Sequence, residues 1–295
     1  MSESIDTNNE DVLTGLQEAI HHGGHGFKYS LLKLNEGLAR QERSAWRFIA
    51  SQFPVESRDR VIHVDLILQR WRPRIYMLAH CKVADPSYQN WCFASAPRIT
   101  AHYDDKLFLD CTHVDENEQV QHYVRNSYTD RKFVHIASEV QSDSSGAGAE
   151  RRRSHVFRQA VAQVNYRVSG INKILASNMN FFPREEEFSR RGRPRSICLL
   201  PVIFTTADIW VTEADLSSAA IESGRIDLAS SGLTKSSWVL YQEYTVREEK
   251  LSTPADEQPR GLEELMEKQY VRTIPVVSPS GVAEFLHWAS KFELY

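Results

Sequence analysis

The sequence predicts an α/β protein with a mixed central sheet flanked by helices. Apolar residues recur at helical spacing over two long stretches, about 27–53 and 150–177. Runs rich in Val, Ile and aromatic residues lie before and after the second stretch. Hydrophobic residues make up 41% and charged residues 25% of the 295 positions, which excludes a disordered, collagenous or coiled-coil chain. Strand signals on both sides of the second helix favour one elaborated domain over 27–295. The Ser/Gly/Ala tract at 142–149 is where it would subdivide.

Residues 1–26 read as a flexible N-terminal segment with a short helix that ends at the glycines of His21–Gly26. From Phe27 to Phe53, Leu31, Leu38, Ala45, Trp46, Ile49 and Phe53 form one helical stripe, closed by Pro54. Val61–Gln69 and Arg74–Val83 are strands by their β-branched content, with Pro73 in the reversal between them. Arg98–Tyr103 and Lys106–Cys111 are expected as two more, across an Asp104-Asp105 turn. The next helix, Glu150–Ser177, is carried by Phe157, Ala160, Val161, Val164, Val168, Ile171, Ile174 and Leu175. Strands follow at Ile197–Thr205, Ile209–Thr212, Trp238–Val246 and Tyr270–Val277, then a last helix over Gly281–Phe292.

A net charge of −4 announces no global affinity for nucleic acid, so a nucleic-acid site must be a local patch. Cys81, Cys92, Cys111 and Cys198 are too scattered for a disulfide framework or a paired CxxC zinc site, and are expected as reduced thiols of a cytoplasmic protein. The longest apolar run, Ile197–Phe204, is too short to span a bilayer, and the acidic start is no signal peptide, so no membrane association is expected.

The chemistry concentrates on two neighbouring strands. Alternation puts Val61, His63, Asp65 and Ile67 on one face, and Tyr76, Leu78, His80 and Lys82 on one face of the next strand. A charged pair among apolar strand positions needs compensation from its own members, a metal or solvent. The spacing of Glu42, four after Leu38 and four before Trp46, puts a third group on the inward helical face. Two carboxylates and a lysine suit metal-assisted phosphodiester hydrolysis, in which carboxylate oxygens hold Mg²⁺ and the lysine serves the nucleophile. A plain cross-strand ion pair is the alternative.

Helix-Glu42, strand-Asp65, turn, and strand-His80-Cys81-Lys82 in that order resembles the PD-(D/E)XK nuclease superfamily over roughly residues 30–115. The resemblance implies a restriction-endonuclease-like core with an elaborated C-terminal half. It also implies Mg²⁺ or Mn²⁺ held by Glu42 and Asp65, a catalytic Lys82, DNA as the ligand, and a bacterial defence or restriction setting. A protein partner or a homodimer is the further option. The departure is His80, where the family carries Glu or Asp. His80 either ligates or assists proton transfer, or a carboxylate comes from elsewhere, or the domain is catalytically silent and binds nucleic acid or a partner. His80-x-Lys82 also fits the HxK of phospholipase D-type enzymes, but Ser87 stands where that motif needs Asp.

Local basic groups add to the nucleic-acid expectation: Arg151, Arg152 and Arg153 at the helix start, and Arg191 and Arg193 in an AT-hook-like RGRP. Both also read as solvated charge. The histidines of the HHGGHG cluster could converge on a metal, and Tyr88, Trp91 and Phe93 could stack bases or simply fill a core or rim. No Walker A, GxGxxG or GxSxG pattern occurs.

Overall fold

The computed structural model describes residues 14, 24–57, 60–70, 74–85, 88–94, 106–114, 119–131, 133–140, 156–178, 195–212, 232–246, 261, 262, 265 and 270–291. The chain is mixed α/β and mostly strand. In order it forms α1 (His25–Arg40), β1 (Arg47–Ser57), β2 (Arg60–Arg70), β3 (Ile75–Lys82), β4 (Asn90–Ala94), β5 (Lys106–Val114), β6 (Val120–Tyr128), β7 (Phe133–Val134) and β8 (Ile136–Val140). Then come α2 (Val156–Ser177), β9 (Arg195–Thr205), β10 (Asp208–Thr212), β11 (Leu233–Ser236), β12 (Trp238–Tyr244), β13 (Val271–Val277), a 3₁₀ turn at Pro279–Gly281, and α3 (Val282–Ala289). No described helix is long and apolar enough to cross a membrane.

Nine strands make one mixed sheet, along the path β1-β2-β3-β9-β13-β12-β7, with β5 and β6 joined at β9. A second sheet runs β11-β10-β4-β8. β1, β2 and β3 are an antiparallel meander, and β9 lies parallel to β3 from Ile75↔Cys198 to Lys82↔Thr205. The other edge of β9 changes partner along its length. It pairs with β5 through Leu199 and with β13 from Ile203. Pro201 falls in the gap between them, so a strand interior tolerates a residue that has no N–H to give.

Each face of the large sheet carries a core. Leu31 and Leu38 of α1 and Val282, Phe285, Leu286 and Ala289 of α3 pack on one face with Leu66, Leu68, Met77, Ala79 and Cys81. Val168, Ile171 and Leu175 of α2 pack on the other with Val55, Val64, Ile67 and Leu78. Gly170 lets α2 close on β1, since a Cβ there would stand 2.8 Å from that of Val55. The end of α3 is clasped by Arg70, whose Nη1 donates to the carbonyls of Ala289 (3.1 Å) and Ser290 (2.5 Å), and by Trp46 Nε1–H to Leu286 O (3.2 Å). A cation on the last carbonyls of a helix is favourable twice, by hydrogen bond and by dipole.

The helix expected over 27–53 stops at Arg40. Buried Asn35 donates to Trp46 O (3.1 Å) and accepts from Ser44 Oγ (2.8 Å), which pins a turn in place of further helix. The apolar residues beyond it belong to β1, where Ile49 is an extra residue in the register and Phe48 and Ile49 stand 49% and 48% exposed. That bulge breaks the alternation that would have marked a strand. β4, β6 and β8 were also unexpected. β6, VQHYVRNSY, is half-buried and polar on both faces, so its pairing with β5 leaves no apolar period to read. The proposed strand 98–103 and the tract 142–149 lie outside the described residues.

Cys111 and Cys198 are disulfide-bonded across directly paired positions of β5 and β9, which corrects the expectation of four reduced thiols. The bond closes a separation of 87 residues. Loop closure of that size is worth about 4.6 kcal/mol in the chain-entropy view. Thiol titration of the protein unfolded without reductant is expected to find the two free cysteines, Cys81 and Cys92. Titration of all four would show the pair to be reduced.

Candidate functional site

Asp65 sits where two strands change face. Residues three apart on a regular strand point to opposite sides. Val64 and Ile67 nevertheless share the α2-side core, and so do Ala50 and Phe53 of β1. Between the latter lies Gln52, in the left-handed region at φ 51°. Such a backbone costs of the order of 1–3 kcal/mol for a residue with a Cβ. Ile67 therefore packs with Val64, correcting the single face expected for Val61, His63, Asp65 and Ile67.

The switch lets helices from both layers reach one carboxylate. From α1, Lys28 Nζ lies 2.8 Å from Asp65 Oδ1. From α2, Arg167 Nη2 lies 3.4 Å from Oδ2, while its Nε donates to His63 O at 2.7 Å. From β3, His80 Nδ1 approaches Oδ2 at 2.7 Å and the Cys81 N–H at 3.0 Å. From β1, Gln52 Nε2 donates to Oδ1 at 3.2 Å. Asp65 thus receives five donors from four elements.

The electrostatics follow. Burial by itself would raise the Asp65 carboxyl. The hydrogen bond from His80, the charge of Arg167 and the hydrogen bond from Lys28 outweigh it and hold the group well below the usual carboxylate range. Burial pushes the His80 imidazole down, helped by Arg167 and Lys82, against the opposing pull of Asp65. His80 is therefore neutral at pH 7. Its partner can only accept, so Nδ1 carries the proton and Nε2 is a bare acceptor. That Nε2, and Nη1 of Arg167, are buried with no hydrogen-bond partner among the described residues.

Lys82 ends β3 half-buried, beside Thr205 of β9. Its side chain makes no hydrogen bond or ion pair with Asp65, and its charge is felt at His80. So the structure joins Asp65 to His80 and brings Lys82 near, but the ammonium on the carboxylate belongs to Lys28. Glu42 is not on an inward helix face. It stands exposed on the turn after α1 at φ 57°, and is absent from the donors and charges around Asp65. The helix that would have turned it inward ends two residues earlier. Arg151, Arg152, Arg153, Arg191 and Arg193 lie outside the described residues, as do His21 and His22. Trp91 and Phe93 are fully buried against Phe157, as core rather than base-stacking aromatics.

The residues present do not fit Mg²⁺ or Mn²⁺. Such ions want several oxygen ligands, chiefly carboxylates and water. Here both oxygens of one carboxylate are engaged, two cations are paired with it, a third is felt at His80, and no group of three or more His, Cys, Asp or Glu that could hold a metal occurs among the described residues.

Two members went unread in the sequence although their spacing marks them. Lys28 leads the buried series Leu31, Asn35, Leu38 at steps of three, four and three. Arg167 follows Val164 by three and precedes Ile171 by four. A long cation on an apolar stripe asks for a buried anion. Comparison of the chain with family models, curated proteins and solved structures gives no significant match.

Proposed function

We propose that this chain is a nuclease-like protein that binds nucleic acid at the Asp65–His80–Lys82 end of the sheet and does not hydrolyse it through a divalent metal. The observation that carries this reading is the charge of the cluster: Lys28 and Arg167 are paired with a single carboxylate, and half-buried Lys82 adds a third positive charge beside His80. A polyanion is the ligand such an excess recruits, and its phosphates need no added metal to be neutralised. The nuclease-like part rests on the order of elements: a helix, an antiparallel meander with Asp65 on its second strand and His80-x-Lys82 on its third, a second helix, and a strand parallel to the third. The arginines at 151–153, 191 and 193, which flank α2 and β9 in sequence, would extend the contact along a phosphate backbone. The substituted His80 supports the silent form, because its Nδ1–H takes a carboxylate oxygen that a metal would need.

Fluorescence anisotropy with single-stranded and duplex DNA tests this. Binding is expected to be equal in EDTA and in Mg²⁺, to weaken steeply with salt, and to lose about one unit of slope in log K against log[salt] on Lys82→Ala. DNA cleavage that needs Mg²⁺ or Mn²⁺ and vanishes in Asp65→Ala would instead make the chain a metal-dependent phosphodiesterase. No binding of either DNA form would remove the nucleic-acid reading.

A further inference from the structure

A buried carboxylate on a strand beside a histidine is an attractive seat for a divalent cation, so what keeps one out is a property of the chain. We infer that Lys28 Nζ is a built-in counter-ion that occupies the cation seat on Asp65 and closes it to divalent metals. Three observations carry the inference. First, Nζ lies 2.8 Å from Oδ1, with the two side chains only 14% and 9% exposed, so the ammonium is held against the oxygen out of bulk water. Expelling it would strand a lysine charge under α1.

Second, α1 is not free to swing Lys28 away. Leu31 and Leu38 are in the core, and Asn35 between them is locked to Trp46 and Ser44. The lysine and the turn after the helix are thus fixed by the same buried face. Third, the second oxygen offers no alternative. Oδ2 already faces His80 Nδ1, the Cys81 N–H and the Arg167 guanidinium, and a doubly charged ion there would meet Arg167 directly. Of the two unpartnered atoms of the cluster among the described residues, His80 Nε2 alone has a lone pair to offer a metal, and one imidazole does not hold Mg²⁺ or Mn²⁺.

The inference goes beyond nucleic-acid binding: it says that the cation of this site is covalently part of the protein and is present whatever the metal supply. Lys28 is then the residue that separates this site from a metal centre, together with His80. Removing both the ammonium and the imidazole, and supplying a second carboxylate, should open the seat.

Mn²⁺ binding followed by electron paramagnetic resonance, without nucleic acid, tests this. Wild type and His80→Glu, which keeps Lys28, are expected to bind no stoichiometric Mn²⁺. Lys28→Met/His80→Glu, which keeps the aliphatic stem at 28, is expected to bind one Mn²⁺ per chain at least tenfold more tightly than wild type, with circular dichroism confirming the fold. One Mn²⁺ bound by wild type and lost in Asp65→Asn would overturn the inference, and that arm stands even where the double variant does not fold. A folded double variant with no gain would overturn it as well. Failure of the DNA-binding reading would leave all these outcomes unchanged.

Discussion

Arg272→Ala is expected to destabilise the protein by about 3–5 kcal/mol, the range for breaking a buried ion pair from one side. Arg272 is 1% exposed at the second position of β13. Its Nε and Nη2 grip Asp110 of β5 at 2.8 and 3.1 Å, and its Nη1 donates to Asn165 Oδ1 of α2 at 2.6 Å. Asn165 in turn donates to Glu243 of β12 at 2.5 Å. One guanidinium therefore ties two strands on either side of the fork in β9 to the helix that supplies Arg167. Alanine would leave Asp110 buried without its bidentate partner. Glu243, whose carboxyl burial already pushes up, would lose the arginine charge that opposes the rise. Urea unfolding should show a lower midpoint with an unchanged slope. Arg272→Met combined with Asp110→Leu should recover most of the loss, because removing both charges ends the desolvation cost. A single variant within about 1 kcal/mol of wild type would mean that the network carries little.

What the sequence discloses depends on how regular the buried pattern of each element is. β2, β9 and β13 are rich in β-branched residues, β3 and β12 in apolar and aromatic ones, and α2 keeps its period over 22 residues, so these elements are legible to within one to three residues where described. The stretch after α1 misleads for a physical reason: a bulge at Ile49 and a left-handed Gln52 give β1 an irregular period that imitates a helix. Glu42 was misplaced with it. Asp65 and His80 could be paired from alternation on neighbouring strands. Their helical partners could not be paired that way, since Lys28 and Arg167 come from opposite layers and meet only because β1 and β2 change face at Gln52 and Asp65. Arg272 and Asp110 each sit in a strand with nothing local to announce the other.

Asp65→Ala is the second change with a large expected effect, again about 3–5 kcal/mol, since it strands one buried cation, one partly buried cation and a backbone N–H at once. The same cluster predicts how stability follows pH. His80 has a native pKa below its ordinary value, so between the two the unfolded chain holds a proton that the native imidazole refuses. Stability is then complete above about pH 6.5 and falls as the pH drops below it. Half-buried His122, shifted the same way, adds to that window. Asp65 acts lower: its native pKa is depressed, so its contribution is complete above about pH 4 and is lost as the pH falls through the native value. Thermal melts from pH 8 downward should therefore decline in two stages. His80→Asn puts an amide N–H where Nδ1–H stood and cannot titrate, so it should flatten part of the first stage and leave the second. An unchanged first stage in that variant would mean that His80 takes up its proton equally in the native and unfolded chains, and that His122 alone carries the window.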